Sequence, residues 1–458
     1  MGHIIARFVL VTSLLISQPA WPDQDTLNYV YSPVLSEEAQ GMMTRMFIHA
    51  RNAEFEQALT LSQTLLDSAE PLQQIEPTLY GEIMVNHGIV QSASGEYELG
   101  LSIINRGLDY IERQANPFDR KLINALMARG LTELSLEQYK DAEDTIRRAQ
   151  HITHRQDGVY TEEQLVMVNY LTATSLRRGA PADADTQQLF SLRVSEQLYG
   201  PNSEELLPTL SRLGSYFASR GATLPIMFTS EMRMERDMLF KHSINMYHRA
   251  IDIIEQTYGA NDLRLVQPLR GLASARMLQI TGRRYAEEAL LRSLDIVQSN
   301  PDSDPGDHAQ ALIDLGDLYI ITSDDRAGDA YVEAWEILQA SPETQYMAKL
   351  AFNTPVRLFP REQRTLYLER MPDAAEPGDE LFIDLAYNIT TGGRVEQIRV
   401  LGKNVPNEQV RLLRQRVKGT RYRPRIEDGE LVQTDDFELR QQFGVLRSPA
   451  FRQDDSNS

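Results

Sequence analysis

The chain of 458 residues has no cysteine. Disulfide cross-links, thiolate metal sites, a cysteine nucleophile and lipid attachment through sulfur are therefore excluded. It also lacks a long apolar run. The most apolar stretch, from Phe8 to Ile16, is about half of the roughly 20 residues that a membrane-spanning helix needs. Basic charge is in deficit: 46 Lys and Arg stand against 65 Asp and Glu, a formal net charge of -19. Such a surface repels polyanions, which counts against a nucleic-acid-binding protein. No P-loop, nucleophile elbow, HExxH or dinucleotide fingerprint occurs in the sequence. His151 and His154 lie three apart and share a helix face, but no third ligand is near them in sequence. No catalytic set, metal site or cofactor is expected.

What is present begins at the N-terminus. MGHIIARFVLVTSLLISQPAW places one Arg before the short apolar core and small or helix-breaking residues after it, at Ser17, Pro19 and Ala20. Residues 1–20 read as a secretory signal peptide with cleavage near Ala20, and the mature protein is expected in the periplasm. Composition is otherwise that of a globular protein, 42% hydrophobic and 24% charged, and the length suggests two or three domains.

From residue 36 to 340 the apolar residues recur at helical spacing, broken by short turns. Within that region the spacing repeats. Gly88, Gly95, Tyr97, Gly100 and Gly107 are matched 42 residues later by Gly130, Glu137, Tyr139, Ala142 and Ala149. Antiparallel helices approach closely only where a side chain shrinks to Gly or Ala. A second echo joins EQLYGPNSEELLPTLSRLG to EQTYGANDLRLVQPLRGLA, 59 residues apart, so the intervening GATLPIMFTSEMRMERD reads as an insertion of about 17 residues. The pattern resembles a tetratricopeptide repeat, with about seven helical hairpins whose stacking would give an α superhelix with a concave inner surface. Asn86 and Asn124 fall on first helices of their hairpins and are candidates to bind a peptide backbone. Met232, Met234 and Met238 are either a soft adhesive surface or core.

Residues 341–379 contain five prolines and read as a linker, of which AFNTPVRLF is apolar enough to pack. Residues 380–446 then change period. Leu381, Ile383, Leu385, Tyr387 and Ile389 alternate along a strand, Gly392 and Gly393 turn the chain, and RVEQIRVL forms a second strand with a bulge. A helix is expected over 407–418, with Val410, Leu413 and Val417 facing the sheet. A last strand carries Phe437, Leu439 and Phe443 on one face. Together with Val395, Val400, Leu412, Tyr422, Pro424, Gly429 and Val432, this order resembles the C-terminal domain of the TonB energy-transducer family. The resemblance implies a small α+β fold and a sheet edge that takes an extended peptide as an added strand, with Phe437 and Leu439 at the partner. The family's membrane anchor, Pro-rich spacer and Tyr-Pro-x-x-Ala motif are not matched. Residues 447–458 read as a disordered tail.

The basic run from Arg411 to Arg425 divides in two. Arg411, Arg414 and Lys418 share the solvent side of the helix. Arg421, Arg423 and Arg425 alternate along an extended segment and are candidates for an anion-binding strip. Only Tyr422 is interleaved with them, too few aromatics for a nucleic-acid platform; a membrane-surface or cell-wall contact is the lesser alternative. The whole chain reads as an exported, non-enzymatic interaction scaffold whose repeats bind one protein and whose TonB-like domain binds another, with outer-membrane or cell-envelope proteins as the expected partners. The alternative is a divergent TonB-type transducer for outer-membrane transport.

Overall fold

The structure is a computed structural model that describes residues 25–224, 229–279, 282–359, 366–368 and 380–445. The expected signal peptide and tail lie outside these residues. The chain divides into two compact units, Met1–Ile253 and Ile254–Ser458.

In the first unit a 3-10 turn, Asp25–Tyr29, precedes helical hairpins. These pair α1 (Glu37–Arg51) with α2 (Phe55–Ser68), α4 (Pro77–Ala93) with α5 (Tyr97–Glu112), α6 (Leu122–Ser135) with α7 (Tyr139–Gln156) and α8 (Glu162–Arg177) with α9 (Pro181–Tyr199). A single turn, α3 (Leu72–Ile75), joins the first two pairs. The fifth pair is α10 (Leu207–Thr223) with the long helix α11 (Ser230–Tyr258), within whose sequence the division between the units falls.

The hairpin turns show why the sequence repeats. Ala53, Gly95, Glu137 and Gly179 follow one another at intervals of 42 residues, and all have positive φ, at 59°, 94°, 60° and 79°. Each turn reverses the chain through one left-handed residue, where Gly fits without strain. Between hairpins, Gly158 and Gly200 repeat the same interval at φ 94°, and Gly259 follows 59 residues later at 97°.

The extra 17 residues therefore fall inside the fifth hairpin, as the echo in the sequence places them. Those of them that the structure describes lie at the end of α10 and in the first turns of α11, which is 29 residues long. Met232, Met234 and Met238 lie there and are exposed.

Close helix packing accounts for the recurring glycines. A Cβ on Gly88 would lie 2.7 Å from Ile104 Cγ1, and one on Gly130 would lie 2.7 Å from Ile146 Cγ1. On Gly214 it would lie 2.6 Å from Tyr247 Cζ. In the α4–α5 pair the small residues face each other, Gly81 against Gly107 and Gly88 against Gly100, so the two backbones touch. The first unit is an array of tetratricopeptide-like hairpins.

The second unit continues with α12 (Val266–Met277) and α13 (Arg283–Ser299), then α14 (Pro305–Thr322) and α15 (Ala327–Gln339). That makes seven hairpins among the described residues. Asp304 caps α14 by accepting from Asp307 N at 2.9 Å. The segment expected as a linker contains α16 (Gln345–Phe352), β1 (Val356–Phe359) and β2 (Leu366–Leu368). Phe352 and Leu358 within it are buried.

Next come β3 (Leu381–Ile389), β4 (Val395–Lys403), α17 (Asn407–Lys418), β5 (Arg421–Arg423), β6 (Arg425–Glu427), β7 (Glu430–Val432) and β8 (Thr434–Val445). The main sheet has the order β2-β8-β3-β4, β1 pairs with β5, and β6 with β7. The expected bulge is present: the β3–β4 register shifts twice and Gln397 sits at φ 51°. Val410, Leu413 and Val417 of α17 pack on the sheet with Phe443, Phe437 and Leu439.

Candidate functional site

Asn86 and Asn124, expected to bind the backbone of a partner, are engaged in the structure by the chain's own main chain. Asn86, on α4, is buried among apolar neighbours, where an amide side chain needs partners for both its donor and its acceptor. It has them: Tyr31 N donates to Asn86 Oδ1 at 2.8 Å and Asn86 Nδ2 donates to Tyr31 O at 3.0 Å. The side chain thus imitates the edge of a β-strand. On α6, Asn124 Nδ2 donates to Val30 O at 3.2 Å.

The segment from Asp25 to Leu35 is held further along by its own side chains. Tyr31 inserts its hydroxyl into the first turn of α6, accepting from Ala125 N at 3.1 Å and donating to Lys121 O. Those two groups are four residues apart, the spacing of a helical hydrogen bond. On α8, Tyr170 donates to Asp25 Oδ2 at 3.1 Å. Burial and the Asp25 carboxylate push the Tyr29 hydroxyl up to about 12. From Tyr31 to Val34 burial alternates: Tyr31 and Pro33 face inward, Ser32 and Val34 outward, Val34 being 93% exposed. The 3-10 turn and the four-residue alternating stretch after it together reach three successive first helices, α4, α6 and α8.

The repeat interval puts the seat in register. Starting from Asn86, steps of 42 residues reach Ala128, Tyr170 and Arg212; starting from Asn124, one step reaches Val166, which is exposed. Arg212, on α10, is held by neutral groups, Gln188 Oε1 and Ser191 Oγ, the latter at 2.9 Å. Burial without a carboxylate beside it lowers its pKa.

Behind Asn86 lies a cavity of about 10 Å³ lined by Met43, Met46, Ser62 and His87 among others, room for one water. Ser62 Oγ lies within hydrogen-bond distance of Leu59 O, at 2.9 Å, and of His87 Nδ1, at 2.8 Å. Burial lowers the His87 pKa.

In the second unit the basic strip is corrected. Arg423 does not face solvent beside its neighbours. It is buried on α14, donating to Asp317 Oδ1 at 2.8 Å and Oδ2 at 2.7 Å, and to Ala351 O at 3.3 Å. Tyr331 donates to the same Asp317 Oδ1 at 2.8 Å. Arg425 pairs with Glu427 at 2.7 Å and Arg421 Nη1 donates to Thr420 O at 3.2 Å. Arg411, Arg414 and Lys418 are exposed on α17. The carboxylate that claims Arg423 lies 106 residues earlier, beyond what local alternation can reveal.

Phe437 and Leu439 are half-buried and pack against the core of the small domain. The two sheet edges differ. The outer edge of β4 carries the Gln397 bulge, and Arg414 Nη2 donates to Ile398 O at 3.0 Å. On β8, β2 covers Phe443 to Val445; among the described residues the same side of Thr434 to Gln442 has no strand beside it.

No protein-family model and no curated protein sequence matches this chain. Among solved structures it is similar to the TPR-like repeats of a Podosopora anserina kinesin light chain, at 10% identity and TM-score 0.37, over 50% of this chain and 99% of that one. It is also similar to NprR in complex with its cognate peptide NprX, at 11% identity and TM-score 0.28, over 69% of this chain and 82% of that one. BtubC from P. vanneervenii matches at 14% identity and TM-score 0.25, over 62% and 91%. Likenesses of this size fix neither ligand nor partner; the repeat architecture stands on this chain's own 42-residue register.

Proposed function

We propose that the protein is an exported, non-enzymatic interaction scaffold in which the face formed by α4, α6 and α8 takes an extended segment of a protein partner. The observation that carries this reading is the double hydrogen bond between Asn86 and the main chain of Tyr31. It recognises backbone and ignores side-chain identity, as strand pairing does. Export rests on the N-terminal sequence.

The TonB-like domain supplies a second contact. Strand addition there falls to the side of β8 from Thr434 to Gln442, since β4 is blunted by its bulge and by Arg414. Phe437 and Leu439 act from below by shaping that strand. The transducer alternative needs residues 1–20 retained as an anchor, and sequencing the mature N-terminus separates the two.

A photo-crosslinking residue placed at Val166, and separately at Glu438, tests the scaffold in living cells. Both positions are exposed. The scaffold predicts a distinct protein adduct from each position. Adducts from neither position would remove its basis.

A further inference from the structure

We infer that residues 25–35 are an internal ligand, which occupies the peptide face until an extended partner segment with an inward aromatic and a proline two residues on replaces it. The inference rests on the peptide-face reading above and adds what fills the face at rest and what chemistry displaces it.

Three features distinguish this segment from a structural strap. Beside the Tyr31 hydroxyl, its grip on α4 and α6 runs through its main chain, at Tyr31 N, Tyr31 O and Val30 O. Any extended peptide carries those groups. From Tyr31 to Val34 its side chains alternate as in a strand on one surface, with Leu27 and Tyr31 set into the core of the array and Val34 left in solvent. And its contacts repeat the array's own register, with Asn86 and Tyr170 at equivalent positions two repeats apart.

The side chains that do enter the face set the chemistry of a competitor. Tyr31 bridges Lys121 O and Ala125 N through its hydroxyl, and Leu27 and Pro33 are buried. A tyrosine with proline two places later, and a branched apolar residue four places before it, would match all three. A phenylalanine would fill the site without the bridge.

The segment enters α1 at Ser36, whose hydroxyl caps that helix and which is exposed. A covalently attached ligand lowers the apparent affinity of a free one by the fraction of time the face is open.

The experiment uses the full chain with a protease site inserted between Leu35 and Ser36, and a fluorescent peptide of residues 25–35 as the probe. The uncut chain is expected to bind the probe at least about tenfold more weakly than the cut chain after its own segment has been washed out. Replacing Tyr31 by Ala in the uncut chain is expected to raise probe affinity in the same direction, without any cleavage. Asn86→Ala in the cut chain is expected to lose about tenfold in return. Equal affinity of cut and uncut chains overturns the internal-ligand role and leaves the peptide face standing. Failure of the emptied, still helical chain to bind the probe removes the peptide face itself. Loss of helical signal on cutting makes the segment part of the core and overturns the inference. Dimers that form through the segment would assign the face to a second copy and overturn it too.

Discussion

At the scale of single residues, what matters is which polar groups are buried and who answers them. Asn86 has no charge and no chemistry of its own, yet in an apolar setting its amide is obliged to find a donor and an acceptor, and a peptide bond offers both. That obligation is what makes an asparagine on a first helix worth suspecting from sequence. The identity of the occupant was not legible, because Tyr31 lies 55 residues from Asn86 and the stretch around it has neither helical nor strand periodicity long enough to read. His87, beside it, gives a pH prediction. Its folded pKa is lowered by burial, so the unfolded chain takes up the proton first. Stability is full above about pH 6.5, the unfolded value, and falls as pH drops from there toward the folded value. In His87→Gln that part of the acid slope should vanish in urea titrations at pH 7 and pH 5; an unchanged slope would remove His87 from the account. Arg212 makes a different prediction. It is half-buried with only neutral partners, so Arg212→Met should leave stability within about 1 kcal/mol or raise it. A loss above about 2 kcal/mol in thermal melts would show that the guanidinium holds α9 and α10 together.

Helices and strands were the most legible level. The 42-residue interval, the small residues where backbones cross and the alternation from Leu381 to Ile389 each have one geometric solution, and the structure adopts it. The interval is also testable by contrast. A methyl on Gly107 would lie 2.7 Å from Val85 Cγ2 and 2.9 Å from Gly81 O, so Gly107→Ala should cost about 1–3 kcal/mol by overpacking. Gly95 faces open space at φ 94°, so Gly95→Ala should cost about 1 kcal/mol from backbone strain alone. Denaturant midpoints of the two variants should fall in that order; the reverse order would mean the α4–α5 backbones are not in contact. What sequence could not show at this level was the fate of residues 341–379, where five prolines suggested a tether. α16 and β1 form between the prolines and are recruited by partners distant in sequence, β1 by β5 some 65 residues on.

On the scale of the second unit, the small sheet domain and the last hairpin are joined by a buried charge. Arg423 and Asp317 are both largely withdrawn from water, at 8% and 12% side-chain exposure. Replacing one partner strands the other. Arg423→Met should therefore cost about 3–5 kcal/mol, and Asp317→Leu with Arg423→Met should recover most of it. Hydrogen exchange that loosens β5 and α14 together in the single variant, and recovers in the double, would confirm the joint. A single variant as stable as the parent would contradict it. The pair ties the sheet domain, on which we propose a partner at β8, to α14. In the sequence the same arginine belonged to an apparent strip of charge, since alternation places three side chains on one side without saying what lies there.

The first unit carries the central claim, that residues 25–35 lie on the helical array as a ligand lies on a receptor. Native-state hydrogen exchange at the Tyr31 amide, compared with the amide of Val85 in the middle of α4, tests it most directly. A ligand-like segment opens by itself, so Tyr31 should exchange through a local opening at least about 2 kcal/mol easier than the opening that exposes Val85, with little dependence on denaturant. If the two amides instead exchange at the same free energy and with the same denaturant slope, the segment is part of the core and the account is wrong.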